Sequence, residues 1–229
     1  MNTTFWLVLI LALFLAIYTG EQAIPLLVLL YAPRLLKFWF IDPIESERWI
    51  SASPSVQEKI DQLHELDFIP LGIKAEKILW QRPVYEVSLT NPEKETFASI
   101  MLTRDNRVLG VYFFTPLLGG GIIFTRGSSH MPEIELPDSS VTNNLKGDLK
   151  AMLASHSQCL RAFGRKGMAP LAVNDQAARL ESTYHFYESA YMKQARRNLP
   201  RLLPLINFVL AVGLLLAVVL TYVLRLAAG

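Results

Sequence analysis

Apolar and polar residues fall into three blocks along this chain, and the blocks differ in period as well as in content. Leu202 to Leu224 is a run of 23 residues without a charge. As a helix rising ~1.5 Å per residue, such a run covers the hydrocarbon core of a bilayer, about 30 Å thick. A second apolar run opens the chain at Phe5 to Tyr18, and apolar character resumes from Ala23 to Ala32 after Gly20, Glu21 and Gln22. The block between the two greasy ends, about 160 residues, has the size of one ordinary domain with its own core.

The middle block changes period along its length. Val56, Ile60, Leu63 and Leu66 stand at helical spacing, and Ser55-Val56-Gln57-Glu58 has the capping-box pattern, so a helix is expected there, broken at Phe68 to Gly72. Alternating, β-rich runs follow at Pro83–Leu89, Thr96–Thr103, Arg107–Thr115 and Gly121–Arg126. The polar turns Asn91 to Lys94 and Arg104 to Asn106 join neighbouring runs, which predicts an antiparallel meander, and the lack of helical crossovers argues against parallel pairing. Gly127 to Ser140 reads as a loop. Helical spacing returns in Leu145, Leu149, Met152, Leu153, His156, Leu160 and Phe163, and again from about Asp175 to Asn198, where Leu180, Tyr184, Tyr187 and Tyr191 form a stripe. The order is that of an α+β domain: an antiparallel sheet packed by helices and flanked by N- and C-terminal transmembrane helices. The corresponding boundaries are a membrane anchor at residues 1–40, an α+β domain at 41–199 and a C-terminal transmembrane helix at 200–229.

Composition matters here mainly through the placement of charge. Twenty-two Lys and Arg against twenty Asp and Glu leave a net charge of +2, which gives no indication of nucleic-acid binding. No Lys or Arg precedes the first apolar run and only Arg225 follows the last. Arg34 and Lys37 lie on the inner side of the first segment; Lys193, Arg196, Arg197 and Arg201 lie on the inner side of the second. Basic residues beside spans favour the cytoplasmic side, so the expectation is a two-pass protein of the plasma or an inner membrane, both termini outside and the domain in the cytoplasm. A single cysteine, Cys159, agrees with a reducing compartment. A cleaved signal peptide is the rival for the N-terminus, but there is no basic n-region, and Tyr18-Thr19-Gly20 is a poor cleavage site.

Two geometries fit the first segment. One is a single long tilted helix, which places Glu21 at membrane depth as a candidate polar contact with another transmembrane helix. The other is a short span followed by an interfacial stretch from Ala23 to Phe40, anchored by Tyr31, Phe38, Trp39 and Phe40, with Glu21 reaching to headgroups.

Candidate chemistry is sparse. None of the four histidines, His64, His130, His156 and His185, stands in a metal-binding pattern. His156 with Cys159 on one helical face reads as a core pair ahead of a reactive one. Gly119-Gly120-Gly121 lacks the Lys-Ser/Thr ending of a P-loop and reads as a turn. No cofactor is implied. The basic group Lys193, Arg196, Arg197 and Arg201 suits anionic lipid headgroups, at about 1 kcal/mol per cation. The leading expectation is a noncatalytic, membrane-anchored interaction or scaffold protein, such as an accessory subunit of a membrane complex with a protein partner. The alternative is a membrane-tethered lipid- or small-molecule-sensing domain, with His156, Tyr184 and Tyr187 lining a pocket. The third is an enzyme whose site would need His130, Arg126 and Asp138 to converge.

Overall fold

The structure, a computed structural model, describes residues 3–31, 35–77, 82–103, 105–127, 133–144, 148–189 and 203–227. The chain divides into two compact units: residues 1–32 with 196–229, and residues 33–195.

The first unit is an antiparallel pair of helices. Helix α1 runs from Thr3 to Tyr31 without a break at Gly20 to Gln22, and the final helix, named α6 below, runs from Leu203 to Ala227. Small residues on one side of α1, Ala12, Ala16 and Ala23, are buried, as is Ala211 of α6. A methyl added at Gly20 would lie 3.1 Å from the Phe208 ring, so the backbones approach closely there. At the far end Phe5 stacks on Tyr222 with ring centroids 4.6 Å apart. The outward surface is apolar, including Leu7, Ile10, Phe14, Val209, Leu210 and Leu216. Among the described residues one helical segment, Pro204–Leu224, is long and apolar enough to cross a membrane; the apolar part of α1, Phe5–Glu21, is shorter.

The second unit is α+β. Its strands are β1 (Lys37–Phe40), β2 (Ile69–Lys77), β3 (Val84–Asn91), β4 (Thr96–Leu102), β5 (Val108–Pro116), β6 (Ile122–Arg126), β7 (Ile134–Glu135) and β8 (Ser139–Asn143). They form one open sheet in the order β1-β2-β3-β4-β5-β6-β8-β7. From β1 to β6 every pair is antiparallel. Helices α2 (Pro43–Ser51), α3 (Pro54–His64), α4 (Leu149–Arg165) and α5 (Gln176–Glu188) surround it.

The period-2 alternation sorts residues onto two faces. One face carries Ile73, Val87, Leu89, Ala98, Ile100, Val111 and Phe113, all buried, and closes against Val56, Ile60 and Leu63 of α3 and Met152 and Leu153 of α4. Burying such side chains stabilises by about 1.5–3 kcal/mol each, which makes this layer the main core. The other face carries Lys74, Glu86, Ser88, Phe97, Ser99, Tyr112 and Phe114, and helix α5 lies over it.

Several expectations change. The helix does end before Phe68, but the residues that follow form an unexpected strand, β2, and the loop Gly127 to Ser140 contains β7 and the start of β8. Strand β8 pairs with β6 in parallel, which the meander excluded; the excursion through β7 returns the chain so that the two strands run the same way. Helix α3 begins at Pro54 with Ser53 as N-cap, two residues ahead of the capping box at Ser55, because proline is preorganised for the first helical position. The helices α4 and α5 start at Asp148 and Asp175, whose side chains accept hydrogen bonds from the amides of Lys150 and Ala178. Helix α1 runs unbroken to Tyr31, and Phe38, Trp39 and Phe40, expected as interfacial anchors, belong instead to β1, hydrogen-bonded to β2.

Candidate functional site

The second face of the sheet holds the densest chemistry among the described residues. Lys74 of β2 and Glu86 of β3 are direct cross-strand partners, and their charged groups meet at 3.0 Å. Ser99 and Tyr112 occupy the neighbouring strands in register with Ser88. Helix α5 then lowers Arg179, one turn after its Asp175 cap, onto this row. Arg179 donates to the Glu86 Oε1 at 2.6 Å, to the Ser99 hydroxyl at 3.2 Å and to the Tyr112 hydroxyl at 2.7 Å. Its other terminal nitrogen donates to Ser182 and Thr183, and its plane lies 5.4 Å from the Phe97 ring centroid and 5.7 Å from that of Phe114.

Glu86 is the hub. Its Oε1 accepts from Lys74, Arg179, Ser88 and Ser99, and its Oε2 from Tyr112 at 2.5 Å. Burial opposes its ionisation, but Lys74 and Arg179 with the Tyr112 hydrogen bond outweigh that and hold its pKa down at about 2. Lys74 is pulled below the usual lysine range, chiefly by burial and then by the Arg179 charge, with Glu86 opposing. Burial pushes Glu76, whose carboxylate accepts from the Tyr187 hydroxyl, above the usual carboxylate range. The Tyr112 and Tyr187 hydroxyls are pushed up for the same reason.

Beside this cluster lies a cavity of about 240 Å³. Lys74, Glu76, Glu86, Arg179 and Tyr187 contribute to one wall; Val84, Met101, Leu109, Phe124 and Phe186 supply apolar surface. Val84 and Leu109 are each 64 % exposed, so the apolar wall reaches the surface.

Of the residues singled out from sequence as pocket-lining, Tyr187 alone lines this cavity. Tyr184 packs edge-on against Phe38 at 4.8 Å. The stripe chosen on α5 was turned by about one residue: the buried side chains are Arg179, Ser182, Thr183 and Tyr187, because the surface they meet is itself polar. His156 lies on the opposite face of the sheet, its Nε2 2.9 Å from the Thr115 hydroxyl and its Nδ1 3.0 Å from that of Thr125. Burial lowers its pKa to about 3, so the ring is neutral, and because Thr115 donates to the Glu95 carbonyl its hydroxyl is left to accept from Nε2–H. With both ring nitrogens taken up by threonines, His156 is not paired with Cys159, which sits among Leu117, Ile123 and Phe163. The partners of this buried histidine are thus side-chain hydroxyls.

Arg126 and Asp138 are not brought together: Arg126 ends β6 and donates to Asn143, while Asp138 abuts Gly121 before that strand begins. His130 lies outside the described residues, as do Lys193, Arg196, Arg197 and Arg201. Gly119 and Gly120 form the turn between β5 and β6 at positive φ, and a methyl at Gly121 would stand 2.0 Å from the Asp138 carbonyl oxygen, so this run is a turn and a close approach. Glu21 is exposed on α1. The pairs Phe5 with Tyr222 and Gly20 with Phe208 put it opposite the first turn of α6.

Lys74, Glu86 and Arg179 escaped the sequence reading. The available signal was the regular polar alternation Lys74, Glu76, Glu86, Ser88 and Ser99, which is also how a solvated sheet face reads. No protein-family model, no curated protein and no solved structure matches the chain.

Proposed function

We propose that this chain is a noncatalytic, membrane-anchored binding module whose α+β domain takes a small ligand between the charged face of the sheet and α5. The observation that carries the reading is the cavity itself: an apolar wall set against a convergent group of buried polar side chains is the common make-up of a ligand site. The charged groups spend most of their hydrogen-bonding capacity on one another, as befits recognition more than turnover. This favours the sensing alternative over a plain scaffold.

The anchor in this proposal is the helix pair. Because α1 lies antiparallel along α6, the part of α1 from about Phe5 to Ile24 accompanies Pro204–Leu224 across the bilayer, giving two passes. Glu21, opposite the first turn of α6, then falls near headgroup level. Lys193, Arg196, Arg197 and Arg201 meet anionic lipid, with the domain in the cytoplasm. A protein partner within the membrane is the second reading, supported by the exposed Glu21 carboxylate on an otherwise apolar helix surface.

The test is a fragment screen by thermal shift on the full chain in phosphatidylcholine nanodiscs, repeated with Leu109→Trp to narrow the cavity mouth. Saturable shifts lost in the variant are expected; a screen with no such shift removes the binding role. For the second reading, Glu21→Leu should release proteins that copurify from gently solubilised membrane, and an unchanged set removes it.

A further inference from the structure

We infer that the ligand is a small organic acid, a carboxylate on a short apolar body, with its head group at Lys74 and its body along the Val84, Leu109, Phe124 and Phe186 wall. This rests on the binding-module reading and adds the chemistry of the occupant.

The sign of the head group follows from which hydrogen-bonding capacity is already used. Glu86 already accepts from five donors, four at Oε1 and Tyr112 at Oε2, which leaves at most one acceptor site, on Oε2, for a cationic guest. The donors are not exhausted. The Lys74 ammonium has three N–H groups, and Glu86 and Thr183 take two, the latter at 3.1 Å. A cation entering the cavity would face two buried positive groups, while an anion would give Lys74 its third partner. Glu76, the other carboxylate on this wall, already accepts from the Tyr187 hydroxyl, so part of its acceptor capacity is spent as well.

Size and polarity define the rest of the guest. An apolar cavity of about 150 Å³ holds benzene, so one of about 240 Å³ takes roughly ten heavy atoms. A carboxylate with a five- to seven-carbon body meets that limit. Such an acid can come from the aqueous phase or, as the end of a longer chain that projects past exposed Val84 and Leu109, from the membrane.

The experiment compares hexanoate, hexanol and hexylamine as probes, by calorimetry and thermal shift, on the full chain in phosphatidylcholine nanodiscs. Hexanoate should bind saturably, hexanol at least ~10-fold more weakly, and hexylamine not at all, since a charge-assisted hydrogen bond in a dry site is worth about a factor of ten or more. Leu109→Trp should abolish binding. Lys74→Met should weaken hexanoate by ~10-fold or more while leaving hexanol unchanged, which also shows that the variant is folded. If Lys74→Met does not fold, the ranking of acid over amine together with Leu109→Trp decides. Hexanol or hexylamine binding as well as hexanoate overturns the acid but keeps the pocket. No binding by any of the three removes the binding module as well. Hexanoate binding that survives Leu109→Trp places the site elsewhere and overturns the inference. Oleate supplied within the nanodisc, competing against hexanoate supplied from water, tells a membrane-derived acid from a soluble one; displacement by oleate assigns the membrane source, and its failure assigns the soluble one.

Discussion

The two faces of the sheet are built from the same strands and stabilised by different physics. On the α3 and α4 side, Val87, Ile100 and Phe113 meet helices through apolar contact, and the same face holds a neutral histidine hydrogen-bonded to two threonines. On the α5 side, Lys74 and Arg179 are buried and Glu86 is largely covered, and each is tolerable only because the others are present. The first face tolerates loss of one contact by partial collapse, while the second penalises loss of one partner by leaving a buried charge uncompensated. A surface of the second kind is a costly way to hold a helix, and its presence beside a cavity is what points to binding.

The sharpest break of this comparison is Arg179→Met. It leaves Glu86 with Lys74 alone and should destabilise the domain by about 3–5 kcal/mol in urea unfolding. The triple replacement Lys74→Met, Glu86→Leu, Arg179→Met should recover most of that loss, since apolar residues of similar volume replace buried ions at little cost. A triple variant as unstable as the single one would show that the cluster is not a self-compensating unit.

Removing one threonine from the other face is a smaller perturbation. Thr115→Val takes a hydrogen-bond partner from the buried His156 nitrogen and should cost about 1–3 kcal/mol by the same measurement. Phe113→Leu, which changes shape and leaves no polar group unpaired, should cost about 1 kcal/mol, and a larger loss would remove the contrast between apolar and polar deletions on this face.

Acid should separate the two faces in sequence. The folded pKa of His156 lies at about 3 against 6.5 for the free side chain, so the unfolded chain takes up a proton first and stability falls as the pH drops below 6.5. Glu86, held at about 2 against 4.5, contributes stability that is present above pH 4.5 and lost below it. Glu76, with its raised pKa, acts in the opposite direction and partly offsets Glu86. A titration of unfolding free energy should therefore show a decline between pH 6.5 and 4.5 that disappears in His156→Gln, and a second below pH 4.5 that the histidine variant retains.

Much of the scaffold was legible because periodicity reports local geometry directly. The β-rich runs from Pro83 to Arg126 became β3 to β6 with only small shifts at their ends, and Val56, Ile60 and Leu63 occupy the buried stripe of α3. Period and turn chemistry carry no information on which distant element will cover a polar face, so α5 was placed but its buried side was turned by a residue. The parallel partner of β6 was missed for a related reason: five residues, Ser139 to Asn143, with two serines and an asparagine, carry too little hydrophobic alternation to stand out from a loop.

What the residues alone determined, then, was the apolar character of both ends, the helical and extended segments of the middle and the apolar layer beneath α3 and α4. All of these depend on neighbours within a few positions. The tertiary structure decided that Lys74, Glu86 and Arg179 share one buried site. They are contributed by β2, β3 and α5, and alternating polar residues look the same whether water or a helix lies over them. Only the descent of α5 onto the sheet removes that water and turns a solvated strand face into a charged wall.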